Sequence, residues 1–156
     1  MRRSKEWPWF NTCAVSVETL APTDVATRTN HGEGRFPMVK IVRSDEARDL
    51  NLPGRRSLEL VSGVLGSKSV TLRLVEIPVA GTGDRPRDPH RHLAFEECMY
   101  VLSGQGITQT PGGDVAVSKG DAILVPAGEY HVTRNTGTEP LWLLCFFPTA
   151  DCSEQK

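Results

Sequence analysis

From residue 57 onward, short runs of β-branched, aliphatic and aromatic residues alternate with clusters of glycine, proline and polar residues. The runs are SLELVSGVL from Ser57, SVTLRLVEI from Ser69, FEECMYVL from Phe95, ITQT from Ile107, VAVS from Val115, AILVP from Ala122, YHVTRN from Tyr130 and LWLLCFF from Leu141. Runs of this length and composition read as strands, and SGQG, PGGD, KGD, AGE and TGTEP read as the turns between them. In PGGD the two glycines permit the positive φ of a hairpin. About eight to ten strands, with a turn signal roughly every 8–12 residues, predict an all-β sandwich or barrel.

Upstream, MVKIVR from Met38 reads as one more short strand, SDEARDL as a single helical turn capped by Ser44, and NLPGRR as a turn. No segment beyond residue 50 carries an amphipathic helical period, and no internal repeat is visible. Residues 1–37 show neither period and are expected to form a disordered or loosely packed extension. Residues 38–150 then make one domain and 151–156 a tail, in keeping with a chain of 156 residues. Within the extension NHGEGRFP reads as a linker, with His31 a solvent residue. Arg2 and Arg3 give a basic start, but Glu6, Pro8, Asn11 and Glu18 interrupt what would be a signal-peptide core, and Met38 is a candidate alternative start.

Composition narrows the classes. The apolar fraction is 38% and the charged fraction 24%, with a net charge of −1. Without a basic stripe, nucleic acid and anionic membrane surfaces are poor partners. No apolar stretch approaches bilayer length. Cys13, Cys98, Cys145 and Cys152 form no CxxC pair, which argues against a zinc knuckle or a thioredoxin-like motif. The thiols are read as reduced and the protein as cytoplasmic.

Chemistry concentrates in PHRHLAFEECMYVLSG, which holds two of the four histidines. In extended chain, residues i and i+2 share a face, so His90 and His92 can offer two nitrogens to one ion. Glu96 and Glu97 compete as the accompanying carboxylate, because strand neighbours face opposite ways. In GDAILVPAGEYHVTRN, a proline–glycine turn precedes His131, which an adjacent strand could bring to the first pair. Three imidazoles and a carboxylate suit a divalent transition metal: iron, manganese, nickel, cobalt or zinc.

With these spacings the chain resembles the cupins. Their first motif reads HxH, three or four residues, Glu, six residues, Gly; His90, His92, Glu97 and Gly104 match it, and the count back from Gly104 selects Glu97. Their second reads Gly, five residues, Pro-x-Gly, two residues, His, three residues, Asn; Gly120, Pro126, Gly128, His131 and Asn135 match it. The inter-motif gap of 15 residues is at the short end for small microbial members. A glycine expected six residues before the first histidine is replaced by Asp84, with Gly83 one place early. The resemblance covers about residues 50–148. It implies a double-stranded β-helix, the jelly-roll cupin barrel, with His90, His92, Glu97 and His131 as metal ligands.

By parity Met99 and Val101 share a face with Glu97, and Thr133 with His131, so they are candidate pocket walls. Gln109, and more weakly Gln105, could hydrogen-bond a substrate from the strand after GQG. Cys98 faces away from Glu97 and is read as structural. Glu96, Glu129 and Tyr130 are the nearby acid–base candidates. Trp142 and Phe146 lie on a run apolar on both faces, so one face is expected to meet a second subunit in a homodimer. Four protein ligands leave two positions open on an octahedral ion. The leading functional expectation is an enzyme acting on a small organic molecule, an iron(II)-type dioxygenase first. The alternatives are a Lewis-acid isomerase, lyase or decarboxylase using manganese, nickel or zinc, and a non-catalytic ligand-binding cupin.

Overall fold

The computed structural model describes residues 39–82 and 87–152. The expected extension over 1–37, His31, Cys13, the start at Met38, Gly83, Asp84 and most of the 151–156 tail lie outside the described residues.

The strands are β1 (Arg48–Asp49), β2 (Arg56–Val61), β3 (Thr71–Ile77), β4 (Glu97–Ser103), β5 (Gln105–Thr110), β6 (Gly113–Ser118), β7 (Ala122–Val125), β8 (Val132–Asn135) and β9 (Leu141–Phe147). A single 3₁₀ turn, Gly63–Leu65, is the only helical element among the described residues. Every run read as a strand from residue 57 onward contains one, although in SLELVSGVL the strand stops at Val61 and Gly63–Leu65 form the 3₁₀ turn. MVKIVR does not: residues 39–43 are irregular, and 44–46 form one hydrogen-bonded turn, Glu46 N–H to the Arg43 carbonyl at 3.1 Å, rather than a helix. Valine and isoleucine favour strands only where a neighbour pairs with them, and Val39 and Ile41 are exposed without one.

All pairings are antiparallel. One sheet has the order β1-β2-β3-β9-β4-β7 and the other β6-β5-β8, the jelly-roll arrangement of a cupin barrel. Alternation puts one face of each strand inside. Val75 and Ile77 of β3, Met99 and Val101 of β4, and Leu141, Leu143, Cys145 and Phe147 of β9 form the core with Phe95, Val117 and Val125. Burial of each such aliphatic side chain contributes about 1.5–3 kcal/mol.

The opposite parity of the long sheet is also apolar. In register, Phe146 sits beside Leu72 and Cys98, Leu144 beside Leu74 and Tyr100, and Cys98 beside Leu124. Hence LWLLCFF carries no alternation of its own: both of its faces meet apolar neighbours.

Two devices join the sheets. Gly104 ends β4 at φ +84, where a Cβ would lie 2.8 Å from the Pro140 carbonyl oxygen, so a side chain is excluded twice over. At the far end of β8, buried Asn135 donates from Nδ2 to the carbonyls of Ile77 (3.1 Å) and Glu139 (2.7 Å). Its Oδ1 accepts the Gly137 N–H at 2.8 Å. The asparagine of the second motif is thus a clamp between β8 and β3, remote from any chemistry.

Candidate metal centre

Backbone bonds stitch the two histidine-bearing segments together before any side chain is considered. His90 and His131 exchange both N–H to carbonyl bonds, at 3.0 and 2.8 Å. The Gly128 N–H donates to the His92 carbonyl at 2.7 Å. Gly128 holds φ +84 in the turn closed by Pro126 and Glu129, and this turn sets His131 at the head of β8. Glu97 opens β4, opposite Val125. Three separate segments therefore converge on one point.

At that point His90, His92, Glu97 and His131 each offer a ligand atom, all within 4.8 Å of one another. Glu97 Oε2 lies 3.2 Å from His92 Nε2 and 3.0 Å from His131 Nε2. His131 Nδ1 lies 3.2 Å from the Glu129 carbonyl. A carbonyl only accepts, so Nδ1–H donates to it, and Nε2 is the ring atom turned toward Glu97, the one placed to ligate an ion once it carries no proton. His90 and His92 meet edge to face, centroids 5.1 Å apart, and His92 stacks on Phe95 at 4.9 Å.

Arg87 sits against His90. Its Nη2 is 2.9 Å from Nε2 and 3.1 Å from Nδ1. Such near-equal distances place it over the ring, because an in-plane approach would collide with the carbon between the two nitrogens. The ring's lone pair stays available. Burial, with Arg87 repulsion second, lowers the His90 pKa to about 3, so its imidazole is neutral, as a ligand must be. Burial alone would raise the Glu97 carboxyl. Hydrogen bonds from His131 and then His92 outweigh it and hold the group below the usual carboxylate range. Three imidazoles and a carboxylate, convergent and all buried except half-buried His90, are a donor set that fits one divalent transition ion.

The centre lies in a cavity of roughly 800 Å³. Of the sequence-nominated wall residues, Met99 and Thr133 line it, and Thr133 Oγ1 is 3.0 Å from Thr108 Oγ1. Val101 and Gln109 do not. Val101 lies further along β4, fully buried in the core. Gln109 has the opposite parity to Thr108 and is held outside by Asp114, at 3.1 Å, and by the Arg134 guanidinium. Gln105 is exposed. Glu96 is exposed beside buried Glu97, and neither Glu129 nor Tyr130 lines the cavity. Cys98 is half-buried and outside it.

Sequence reading missed four cavity arginines, Arg48, Arg55, Arg73 and Arg87, and the buried thiol of Cys145. Burial pushes that thiol well above its usual range, so it stays protonated. Arg73 was legible: it shares parity with Val75 and Ile77, the inward face of its strand. Arg55 lies in a turn and gave no periodic signal.

Among known proteins, the Cupin domain family model matches residues 73–147. Over 55 residues the chain is 36% identical to the oxalate-binding protein of Thermotoga maritima, covering 35% of this chain and 46% of that protein. A solved structure described as a predicted oxalate decarboxylase from Thermotoga maritima superposes with a TM-score of 0.60 at 24% identity, over 70% of this chain and 99% of that one. A sugar phosphate isomerase from Silicibacter pomeroyi superposes with a TM-score of 0.52 at 26% identity, over 61% of this chain and 59% of that one. The chain spans a little under half the length of the first curated relatives it matches. Among the described residues no helix is long and apolar enough to cross a membrane.

Proposed function

Residues 73–147 of this chain belong to the cupin superfamily, and from that premise we propose that the barrel is a metal-dependent enzyme for a small organic acid. The observation that carries this reading is the convergence of His90, His92, Glu97 and His131 on the lining of one cavity. These four side chains would hold one divalent ion. When bound, such an ion supplies Lewis-acid polarisation of a substrate oxygen, and redox chemistry with dioxygen if it is iron(II).

The chain's own residues do the rest. The Glu129 carbonyl keeps the proton on His131 Nδ1. Arg87, over His90, presents positive charge to the cavity and would orient an acid toward the centre. Val75, Leu143 and Phe147 wall the site and exclude water. Among the described residues, the carboxylates that line the cavity outside the ligand set are Glu59, paired with Arg48, and Asp151, so proton transfer falls to Asp151, to groups near the ligands or to the substrate itself.

The name of the oxalate-binding relative and that of the sugar phosphate isomerase favour Lewis-acid chemistry on an oxygen-rich anion. The iron(II) dioxygenase reading rests on the ligand set alone. Elemental analysis of protein purified without a metal-binding tag, with turnover of a small-acid panel including oxalate in an oxygen electrode, separates them. Manganese, nickel, cobalt or zinc with oxygen-independent turnover supports the Lewis-acid reading; iron with oxygen uptake supports the oxygenase. Ligand binding without turnover of any acid overturns the enzyme in favour of a binding protein. We propose in addition that a second copy of the chain covers the outer apolar face of β9, β4 and β7.

A further inference from the structure

Part of the cavity lining is unused by the centre described above: Arg55, Ser57, Ser62 and Arg73. Arg73 occupies an inward position of β3, between Thr71 and Val75, and its guanidinium lies over the Phe147 ring at 5.3 Å. Its Nε is buried with no hydrogen-bond partner, and so are Ser57 Oγ and Ser62 Oγ. With His92 Nδ1, these are all the partnerless buried side-chain nitrogen and oxygen atoms among the described residues. All four residues line the same cavity. Leaving a buried donor unpaired is costly, more so for a charged one, and such costs fall by chance on scattered sites, not around one cavity.

Charge points the same way. Arg48 is neutralised by Glu59 at 2.7 Å and Arg56 by Asp49 at 3.3 Å. Among the described residues, no carboxylate stands within ion-pair distance of Arg55 or Arg73. Burial, with repulsion from Arg87 next, lowers the Arg55 pKa to about 9, so the pocket concentrates positive charge at a cost to the protein. A neutral or aliphatic ligand would leave these donors unpaired, and a second cation would be repelled. A planar or tetrahedral oxyanion matches guanidinium and hydroxyl donors together.

We propose that Arg55 and Arg73, with the hydroxyls of Ser57 and Ser62, form a subsite for a second oxyanionic group of the substrate, a carboxylate or a phosphate. Given the function proposed above, the substrate is then a small dianion. One end faces His90, His92, Glu97 and His131, and the other is held by the two arginines. A cavity of roughly 800 Å³ accommodates a metabolite of that kind.

The test is calorimetric titration of the full chain with inorganic phosphate and, separately, with succinate. Wild type, Arg55→Met, Arg73→Met, Ser62→Ala and His131→Ala are compared, each checked for fold by circular dichroism. The expected result is binding of at least one probe, weakened about tenfold or more by each arginine substitution and retained in His131→Ala. Preference for phosphate or for succinate identifies the distal group. Binding lost in His131→Ala but kept in the arginine variants would put the anion on the metal ligands and overturn the subsite, leaving the metal reading intact. Arginine-dependent binding to a protein that takes up no metal would do the reverse. No binding of either probe to wild type overturns the subsite outright. Should Arg73→Met not fold, Arg55→Met and Ser62→Ala carry the comparison.

Discussion

His131 Nε2 lies 3.0 Å from Glu97 Oε2, across 34 positions of sequence and from one sheet of the barrel to the other. Neither residue has a local reason to meet the other. The meeting is arranged by backbone bonds between His90 and His131, which seat the histidine over the first residue of β4.

The first prediction follows from that contact. His131→Ala and Glu97→Gln each remove one ligand from the set while leaving the barrel's backbone bonds in place. Metal content, measured by elemental analysis after loading and desalting, falls at least about tenfold in both, with the far-ultraviolet spectrum of wild type. Unchanged occupancy in His131→Ala would remove that residue from the ligand set.

Metal should also stabilise the fold by mass action. An ion that binds only the native state, at a free concentration about a hundred times its Kd, adds about 2.7 kcal/mol. A chelator is therefore expected to lower the thermal midpoint of wild type and to leave that of His131→Ala where it is. An equal drop in both would show that the chelator acts elsewhere.

Acid weakens the metal-free barrel. The His90 pKa falls from 6.5 to about 3 on folding, chiefly through burial. A folded pKa below the unfolded one means that the unfolded chain binds the extra proton, so this contribution is complete above 6.5 and is lost as pH falls from there toward 3. Glu97, also lowered, acts in the same direction once pH drops below the ordinary carboxylate range. In the presence of chelator, the thermal midpoint should decline between pH about 7 and about 4, less steeply in His90→Gln. A flat profile would contradict the neutral, half-buried imidazole of His90.

Much of this site could be read before the fold. Runs of strand-forming residues set between glycine–proline punctuation located every strand from β2 to β9, because these strands are short, paired on both sides or punctuated sharply. Motif spacing brought His90, His92, Glu97 and His131 to attention together. Pocket walls were harder. Parity picks out Met99 and Thr133, which line the cavity, but parity cannot say how far along a strand the cavity reaches, and Val101 is absent from its lining. It also cannot be counted from a run with an uncertain start, so the sequence leaves the face of Gln109 open; in the fold its amide meets Asp114 and Arg134. Arg55 and Arg87 sit in irregular segments where no period exists. Val39 and Ile41 show the converse: strand-forming residues remain irregular without a partner strand.

Asn135 belongs to the same motif as His131 but has a different task, and the two should separate experimentally. Asn135→Ala leaves the carbonyls of Ile77 and Glu139 without their donor and the Gly137 N–H without its acceptor. Loss of about 2 to 4 kcal/mol is expected from chemical denaturation. Metal content per folded molecule should stay at the wild-type level. A selective loss of metal with unchanged stability would instead make Asn135 part of the site.

The outer face of the long sheet supplies the last prediction. Tyr100 is 46% exposed, Leu124 60% and Phe146 39%. Cys98 pairs in register with both Leu124 and Phe146, so the three strands present one continuous apolar surface. On it, β7 is the edge strand, with no partner on its outer side among the described residues. Contiguous apolar surface and a free edge favour association with an identical face through a two-fold axis. Wild type should therefore sediment as a dimer. Leu124→Lys places a charge at the centre of that contact and should yield a monomer, at little cost to the fold, because the side chain leaves no core position. Its metal content should match wild type, since Leu124 and Glu97 lie on opposite faces of the sheet. A wild-type protein that sediments as a monomer at high concentration would mean that another partner covers this face.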